Sequence, residues 1–474
     1  MPSSFVGRQA ELKLLQQQLA LVGRSQGDAG QALLIRGRRR VGKSRLVTEF
    51  AERSGLAYAY FQATHYADAT TQLTELAQAI ASSTLSGASI AQGIQPDSLD
   101  AALRLAAAAA CDTEPSLLVI DEIPWLLESR PGFAGQLQRV WDHHLSSKPI
   151  MLLLLGSDMA MMKEINNYDQ PFHGRAREIV IQALSPGDIA QWTGLTGMSA
   201  FDAYLITGGQ PLVVQQWDHG STPTAFLSNS YANPASALIT EGHRILNTEF
   251  SPDSHARTVL GAIGAYGERT FTGIQQRVSH LVSPSTLTKT MDMLALKQVI
   301  VADEPYSARL APKDRRWRIA DPGLRFWLAF VDKAQTDVDR GRPSLALDSY
   351  TKGYAPWRGR AIEPVVREAL WRLLPDSTWP DARYIGGWWP RSNNPEVDLV
   401  AGDAKPATSV SFTGTIKWRQ QAIGSDDVDA LAQSSMSVPG FRGGTPLVAV
   451  CPGGANDTRL AHTWTAQDLL AAWA

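Results

Sequence analysis

Gly37-Arg38-Arg39-Arg40-Val41-Gly42-Lys43-Ser44 satisfies the pattern G-x-x-x-x-G-K-[ST] at each fixed position. Its neighbours make it more than a pattern. Ala32-Leu33-Leu34-Ile35 is a short apolar run that predicts a buried strand, and Leu46, Val47 and Phe50 fall at helical spacing, so Lys43 opens a helix. A strand, a glycine loop and a helix N-terminus in that order offer backbone amides and a positive dipole end to phosphate. The glycines allow the tight turn and the close approach. In such a loop Lys43 reaches the outer phosphates of a nucleoside triphosphate, and the Ser44 hydroxyl ligates Mg²⁺.

At 474 residues the chain exceeds what one core organises, so about three domains are expected. A net charge of -2 means that any nucleic-acid contact must come from local basic patches. The two cysteines, Cys111 and Cys451, sit in apolar-rich contexts without metal-ligand spacing; this excludes a disulfide framework and fits a reducing cytosol. Met1-Pro2-Ser3-Ser4-Phe5 lacks the regions of a signal peptide, and the apolar Met151–Leu155 is too short to span a bilayer. The expectation is a soluble, cytoplasmic protein with no membrane contact.

A phosphate loop needs a carboxylate at the end of a neighbouring strand. Leu117-Leu118-Val119-Ile120-Asp121-Glu122 supplies it: four apolar residues predict a buried strand with Asp121 at its carboxyl end, where open α/β sheets bind ligands. Asp121 would hold Mg²⁺, directly or through water, and Glu122 is placed to polarise the attacking water. A third strand, Ile150–Leu155, ends in Gly156-Ser157. Two roles fit that end: contact of Ser157 with the γ-phosphate or the water, or a helix N-cap by Ser157 or Asp158. Two roles also fit Arg175 in Pro171-Phe172-His173-Gly174-Arg175: an arginine finger, in cis or across a subunit interface, or a surface salt bridge. Gly208-Gly209-Gln210-Pro211 ends a helical stretch and reads as a helix-to-helix turn.

Together with Phe5-Val6-Gly7-Arg8-Gln9-Ala10-Glu11-Leu12, these elements resemble the prokaryotic "archaeal ATPase" family, a group related to AAA+ and STAND ATPases. The resemblance implies an ATPase core with a small helical lid. It places Gly7 and Arg8 near the base or ribose, and Pro211 where the lid meets the nucleotide. The implied ATP-contacting set is Gly7, Arg8, Gly37, Val41, Gly42, Lys43, Ser44, Arg45 and Pro211, with Glu122, Lys43, Arg175 and Ser157 as the catalytic group and Ser44 and Asp121 on Mg²⁺.

Further on, His255–Ala265 and Phe271–Val278 read as helices, and Ser283 caps a third that starts at Pro284. Val299–Ala302 and Trp317–Ile319 bracket a polar loop and read as a hairpin. Three helices and a hairpin is winged-helix order. Candidate DNA contacts are Thr288 and Lys289 on the third helix, and Arg309, Lys313, Arg315 and Arg316 in the wing; Asp303, Glu304 and Asp314 dilute that charge. Packing on the ATPase as an internal regulator is the other role such a module takes.

Asp321-Pro322-Gly323-Leu324-Arg325-Phe326-Trp327 resembles the junction found in family members with a C-terminal DUF234 domain. A polar connector, 332–350, follows, and a helix opens at Gly359 and carries Glu363. Strands at Pro395–Val400 and Ser409–Lys417 complete a layout that resembles the PD-(D/E)xK nuclease fold. The resemblance assigns Glu363 and Asp398 to a metal and Lys417 to the attacking water, in line with the preference of hard cations for carboxylate oxygens. Thr415 stands where the family has an acid, so one metal-binding charge is missing. Two outcomes stay open: weak metal binding by Asp398, Glu363 and the Ile416 carbonyl with help from Glu396, or a dead site that only binds nucleic acid or partners. Trp388 and Trp389 either stack on bases or pack in the core.

The expected fold is multidomain α/β. It comprises a P-loop ATPase core at 1–185, a helical lid at 186–250, a winged helix at 251–331, a connector at 332–350 and a restriction-endonuclease-like α/β domain at 351–474. ATP and Mg²⁺ are the expected cofactors. DNA, a protein partner or a second copy of the chain are the candidate partners.

Overall fold

The computed structural model describes residues 5–24, 29–250, 252–306 and 315–473. The chain divides into two compact units, Met1–Ala183 and Leu184–Ala474.

The first unit is built on a five-stranded sheet in the order β2-β3-β4-β1-β5, all neighbours parallel. The strands are β1 (Gln31–Arg36), β2 (Ala57–Gln62), β3 (Ser116–Asp121), β4 (Ile150–Gly156) and β5 (Ala176–Val180). Three of them fall on the apolar runs read from sequence. Each central strand is buried on both faces, as helical crossovers demand. On β1, Leu33 and Ile35 face the helix Lys43–Ser54 through Leu46, Val47 and Phe50. Ala32 and Leu34 face the opposite layer, which includes Leu73, Leu76, Leu103 and Leu137. The alternation of strand side chains thus puts one core on each side of the sheet. Between the helices Ala69–Ala81 and Leu99–Ala109 lies one short helical turn, Ala88–Ala91.

The second unit begins with helices Pro186–Thr193, Gly197–Thr207, Pro211–Val214, Pro223–Ala232 and Ala237–Glu249. Helices Ala256–Ile263, Phe271–Val278 and Pro284–Leu296 follow. Ser283 caps the last through Thr286 N–H, and Pro284 takes the first helical position, as the sequence indicates. Strands β6 (Arg269–Thr270), β7 (Ile300–Asp303) and β8 (Arg316–Ile319) form an antiparallel sheet in the order β6-β8-β7. The wing residues Arg309, Lys313 and Asp314 lie outside the described residues.

The stretch expected to be a polar connector is helical. Asp332–Asp339 is one helix, and Pro343–Leu373 runs unbroken for 31 residues, starting well before Gly359. Ala334, Val338, Ala346 and Tyr350 are buried along it while its polar residues face water, which is why composition alone reads as linker. Pro356 and Pro364 lie inside the long helix. An interior proline costs about 3 kcal/mol. Burial of Tyr350, Tyr354 and Trp357 against Phe326 and Phe330 offsets it, at roughly 1.5–3 kcal/mol per large apolar side chain.

The long helix leads into β9 (Tyr384–Trp388), β10 (Val397–Gly402) and β11 (Val410–Ile416), an antiparallel meander. The helix Ser425–Ser435 then crosses over to β12 (Leu447–Val450), which runs parallel to β11, and β13 (Leu460–Trp464) runs parallel to β12. One continuous hydrophobic core joins the first helices of this unit, the three-helix module and the C-terminal sheet. These three regions, read from sequence as separate domains, share that core. Among the described residues no helix is long and apolar enough to cross a membrane.

Candidate functional site

The phosphate loop sits between β1 and the helix Lys43–Ser54, whose N-cap Gly42 takes φ 91°. Gly37 leaves no room for a β-carbon, which would collide with the Ile181 carbonyl. Lys43 is buried, and its Nζ donates to the carbonyls of Gly37 (2.8 Å) and Arg38 (3.1 Å), so the lysine lies across its own loop. Beneath the loop, the Arg8 guanidinium donates to the carbonyls of Val41 (2.8 Å) and Gln182 (2.6 Å) and to Glu11 (2.8 Å). Arg8 and Gly7 hold left-handed backbone at φ 63° and 77°.

Asp121 ends β3 on the face that carries the loop helix. Its Oδ2 accepts from Ser44 Oγ at 2.6 Å and from the Tyr60 hydroxyl at 2.6 Å. Burial, with Asp121 beside it, pushes Tyr60 far above its ordinary value, so the hydroxyl stays protonated and donates. Glu122 follows in left-handed backbone (φ 54°). Its Oε2 accepts from the Ser157 N–H at 3.1 Å, which ties the end of β3 to the end of β4. Asp158 caps the helix Met159–Ile165 through the Ala160 and Met161 amides. Ser157 is therefore not the cap: its Oγ is buried and has no hydrogen-bond partner among the described residues. Left-handed, non-glycine residues at Arg8, Arg40 and Glu122 concentrate backbone strain around this site.

In the second unit, Glu363 projects from the long helix and is buried. Arg367 (3.1 Å) and Arg360 (3.4 Å) pair with it. Burial outweighs both arginines and the carboxyl is pushed up to about 7. Asp398 Oδ2 accepts from Thr415 Oγ1 (2.9 Å) and from the Ile416 amide (2.8 Å). Lys417 is half-buried next along the chain.

The sequence matches the model of the AAA ATPase domain over residues 4–151. It matches DUF234, archaeal and bacterial proteins of unknown function, over residues 327–429. The chain carries an AAA ATPase domain followed by a DUF234 domain. Uncharacterized protein MJECL04 of Methanocaldococcus jannaschii is 24% identical over 299 residues, which are 60% of this chain and 64% of that protein. The chain thus spans a little under two thirds of that relative's length. Among solved structures, a Walker-type ATPase of Pyrococcus abyssi aligns at 16% identity and TM-score 0.47, covering 69% of this chain and 97% of that one. The Aeropyrum pernix ORC2 protein aligns at 16% identity and TM-score 0.45, covering 73% and 96%.

Within the first unit, Gly37, Val41, Gly42, Lys43, Ser44, Asp121, Glu122 and Ser157 come together at the carboxyl edge of the sheet. Other expected residues stand elsewhere. The Arg8 guanidinium is taken up by backbone carbonyls under the loop, not by a base or ribose position. Arg45 points outward, 53% exposed and paired with Glu49. Arg175 makes a two-pronged pair with Asp142 (2.7 and 2.8 Å) and donates to the Pro171 and His173 carbonyls, which is the salt-bridge alternative. Pro211 belongs to the second unit, at the first position of the short helix Pro211–Val214. Arg316 is buried and Arg315 pairs with Glu304, so neither stands as an open wing contact. Trp388 and Trp389 are buried, which is the core alternative.

Tyr60 is the site residue that sequence reasoning missed. Ala57-Tyr58-Ala59-Tyr60-Phe61-Gln62 has no motif; the signal available was an aromatic on a strand that pairs in parallel with β3, where Gln62 stands opposite Asp121.

Proposed function

We propose that the first unit binds and hydrolyses Mg-ATP and that the chain works as a nucleotide-driven switch or motor. The observation that carries this reading is the convergence on Asp121: Ser44 and Tyr60 share its Oδ2, and the adjacent Glu122 reaches the Ser157 amide at the next strand end. In this reading the loop amides and Lys43 hold the outer phosphates. Ser44 and Asp121 are oxygen donors of the kind Mg²⁺ takes, and the ion would neutralise charge on the phosphates. Glu122 orients the attacking water and accepts its proton. Ser157 brings to the same edge a hydroxyl that has no partner among the described residues.

The test is ATP binding and turnover by the full chain. Lys43→Ala abolishes both. Glu122→Gln retains binding and slows turnover at least about a hundredfold, in line with loss of a general base. Unchanged turnover in Lys43→Ala sinks the reading.

We further read the module Ala256–Ile319 as a winged helix and the C-terminal sheet as a nuclease-like fold without cleavage activity, which receive the nucleotide state of the ATPase. The β-sheet order and the helix positions support both readings. A DNA-binding role, with ATP setting the conformation, is favoured by one observation: Thr288 and Lys289 are exposed on the helix Pro284–Leu296. Salt-dependent binding to duplex DNA checks it, and no binding at low salt removes it.

A further inference from the structure

The acids assigned by resemblance to a nuclease metal centre do not fit a divalent cation in this chain. Such a cation needs carboxylate oxygens free to converge on it. Here they are engaged. Glu363 faces Arg360 and Arg367, Asp398 Oδ2 is capped by Thr415 and the Ile416 amide, and Glu396 meets Arg316 at 2.7 Å and Arg360 at 3.3 Å. Among the described residues no group of three or more His, Cys, Asp or Glu side chains gathers as a metal site.

We propose that this acidic edge is a seat for a guanidinium, and that Arg316 of β8 fills it, docking the β6–β8 sheet onto the C-terminal domain. The inference rests on the nuclease-like reading of that domain only for the origin of the acids. The seat itself stands on geometry. Arg316 is 8% exposed. Its Nη1 meets Glu396 at 2.7 Å and Glu268 at 3.7 Å, and its Nη2 and Nε donate to Asn393 Oδ1 at 2.9 and 3.3 Å. Its guanidinium carbon lies 4.1 Å from the centre of the Trp389 ring. A planar fork with donors along two edges and a stacking face matches every one of these contacts; an ammonium or a metal ion matches only the charge.

The surroundings are tuned to the same end. Asn393, whose Oδ1 accepts from Arg316, holds left-handed backbone at φ 59°. Burial opposes the Glu396 charge, but Arg316 and Arg360 outweigh it and hold that carboxyl below its ordinary value. The run Glu268–Arg316–Glu396–Arg360–Glu363–Arg367 alternates in sign, three carboxylates against three guanidiniums. Arg316, Arg360 and Arg367, and not a metal ion, are thus the cations that face Glu268, Glu396 and Glu363.

Two measurements on the full, nucleotide-free chain test the seat. The first is Mn²⁺ titration followed by electron paramagnetic resonance. The expected result is no stoichiometric site at micromolar Mn²⁺. One tight Mn²⁺ lost in Asp398→Asn would overturn the seat while leaving the nuclease-like reading in place. The second is a thermodynamic cycle of Arg316→Ala, Glu396→Gln and the double variant. The two effects on the unfolding constant should fall short of their product by about tenfold, a coupling typical of a close buried charge pair. Purely multiplicative effects would overturn the proposal. If Arg316→Ala does not fold, Arg316→Lys closes the cycle, and it should recover less than half of the coupling because it lacks the fork and the stacking face.

Discussion

Gly208 and Gly323 meet backbone to backbone. A β-carbon on Gly323 would lie 2.9 Å from both Cα and N of Gly208, and one on Gly208 would lie 2.7 Å from the Gly323 nitrogen. The contact joins two motifs read separately from sequence, the Gly208–Pro211 turn and the Asp321–Trp327 junction. It packs the end of helix Gly197–Thr207 against helix Pro322–Phe326. Gly323→Ala should therefore cost about 2 kcal/mol, the usual penalty for overpacking a rigid contact. The melting of the full chain would show a drop of a few degrees in the transition of the second unit, with ATP affinity unchanged.

Tyr60→Phe removes one hydroxyl and leaves the ring. A hydrogen bond to a charged group is worth about 1.5–3 kcal/mol. Without it, Asp121 loses one of the donors that orient it, beside Ser44 and the Glu122 amide, and the Mg²⁺ concentration for half-maximal ATP turnover should rise about tenfold. ATP affinity in the presence of a chelator should not change. Equal Mg²⁺ dependence of the two proteins would show that Tyr60 only packs.

Glu363 makes stability depend on pH in a definite direction. Its folded-state carboxyl titrates at about 7, above the ordinary 4.5, chiefly because of burial. The folded state therefore holds the proton more tightly than the unfolded one. Its contribution is fully present below about pH 4.5 and is lost as pH rises through about 7. Glu363→Gln should flatten the stability profile of the second unit between those limits, by on the order of a few kcal/mol. Chemical denaturation across that range reads the slope directly.

Arg175→Ala separates the two roles open to that residue. Its pair with Asp142 is partly exposed, and such pairs contribute about 1 kcal/mol or less. Stability should fall by no more than that, and ATP turnover should stay within about twofold. A hundredfold loss of turnover at native stability would restore the arginine-finger role.

The glycine loop and its neighbouring strands were largely legible in the sequence because their information is local. A glycine loop, a helix start at Lys43 and an acid at a strand end are set by neighbours within a few residues, and β1, β3 and β4 fall on those runs. The second unit was legible where caps and spacing are local, as at Ser283 and Pro284, and illegible at 332–350. There the helix is maintained by aromatic burial against Phe326 and Phe330, partners that composition does not reveal.

The sequence alone determined a phosphate loop, its partner acid Asp121 and the departure at Thr415. Tertiary structure decided what each long polar side chain touches. It put Tyr60 on Asp121, Arg8 under the loop, Arg175 on Asp142 and Arg316 on Glu396. The physical reason is reach. A backbone turn is chosen by residues next to it in the chain, whereas a buried charge must find its counter-charge wherever the fold brings one within hydrogen-bond distance.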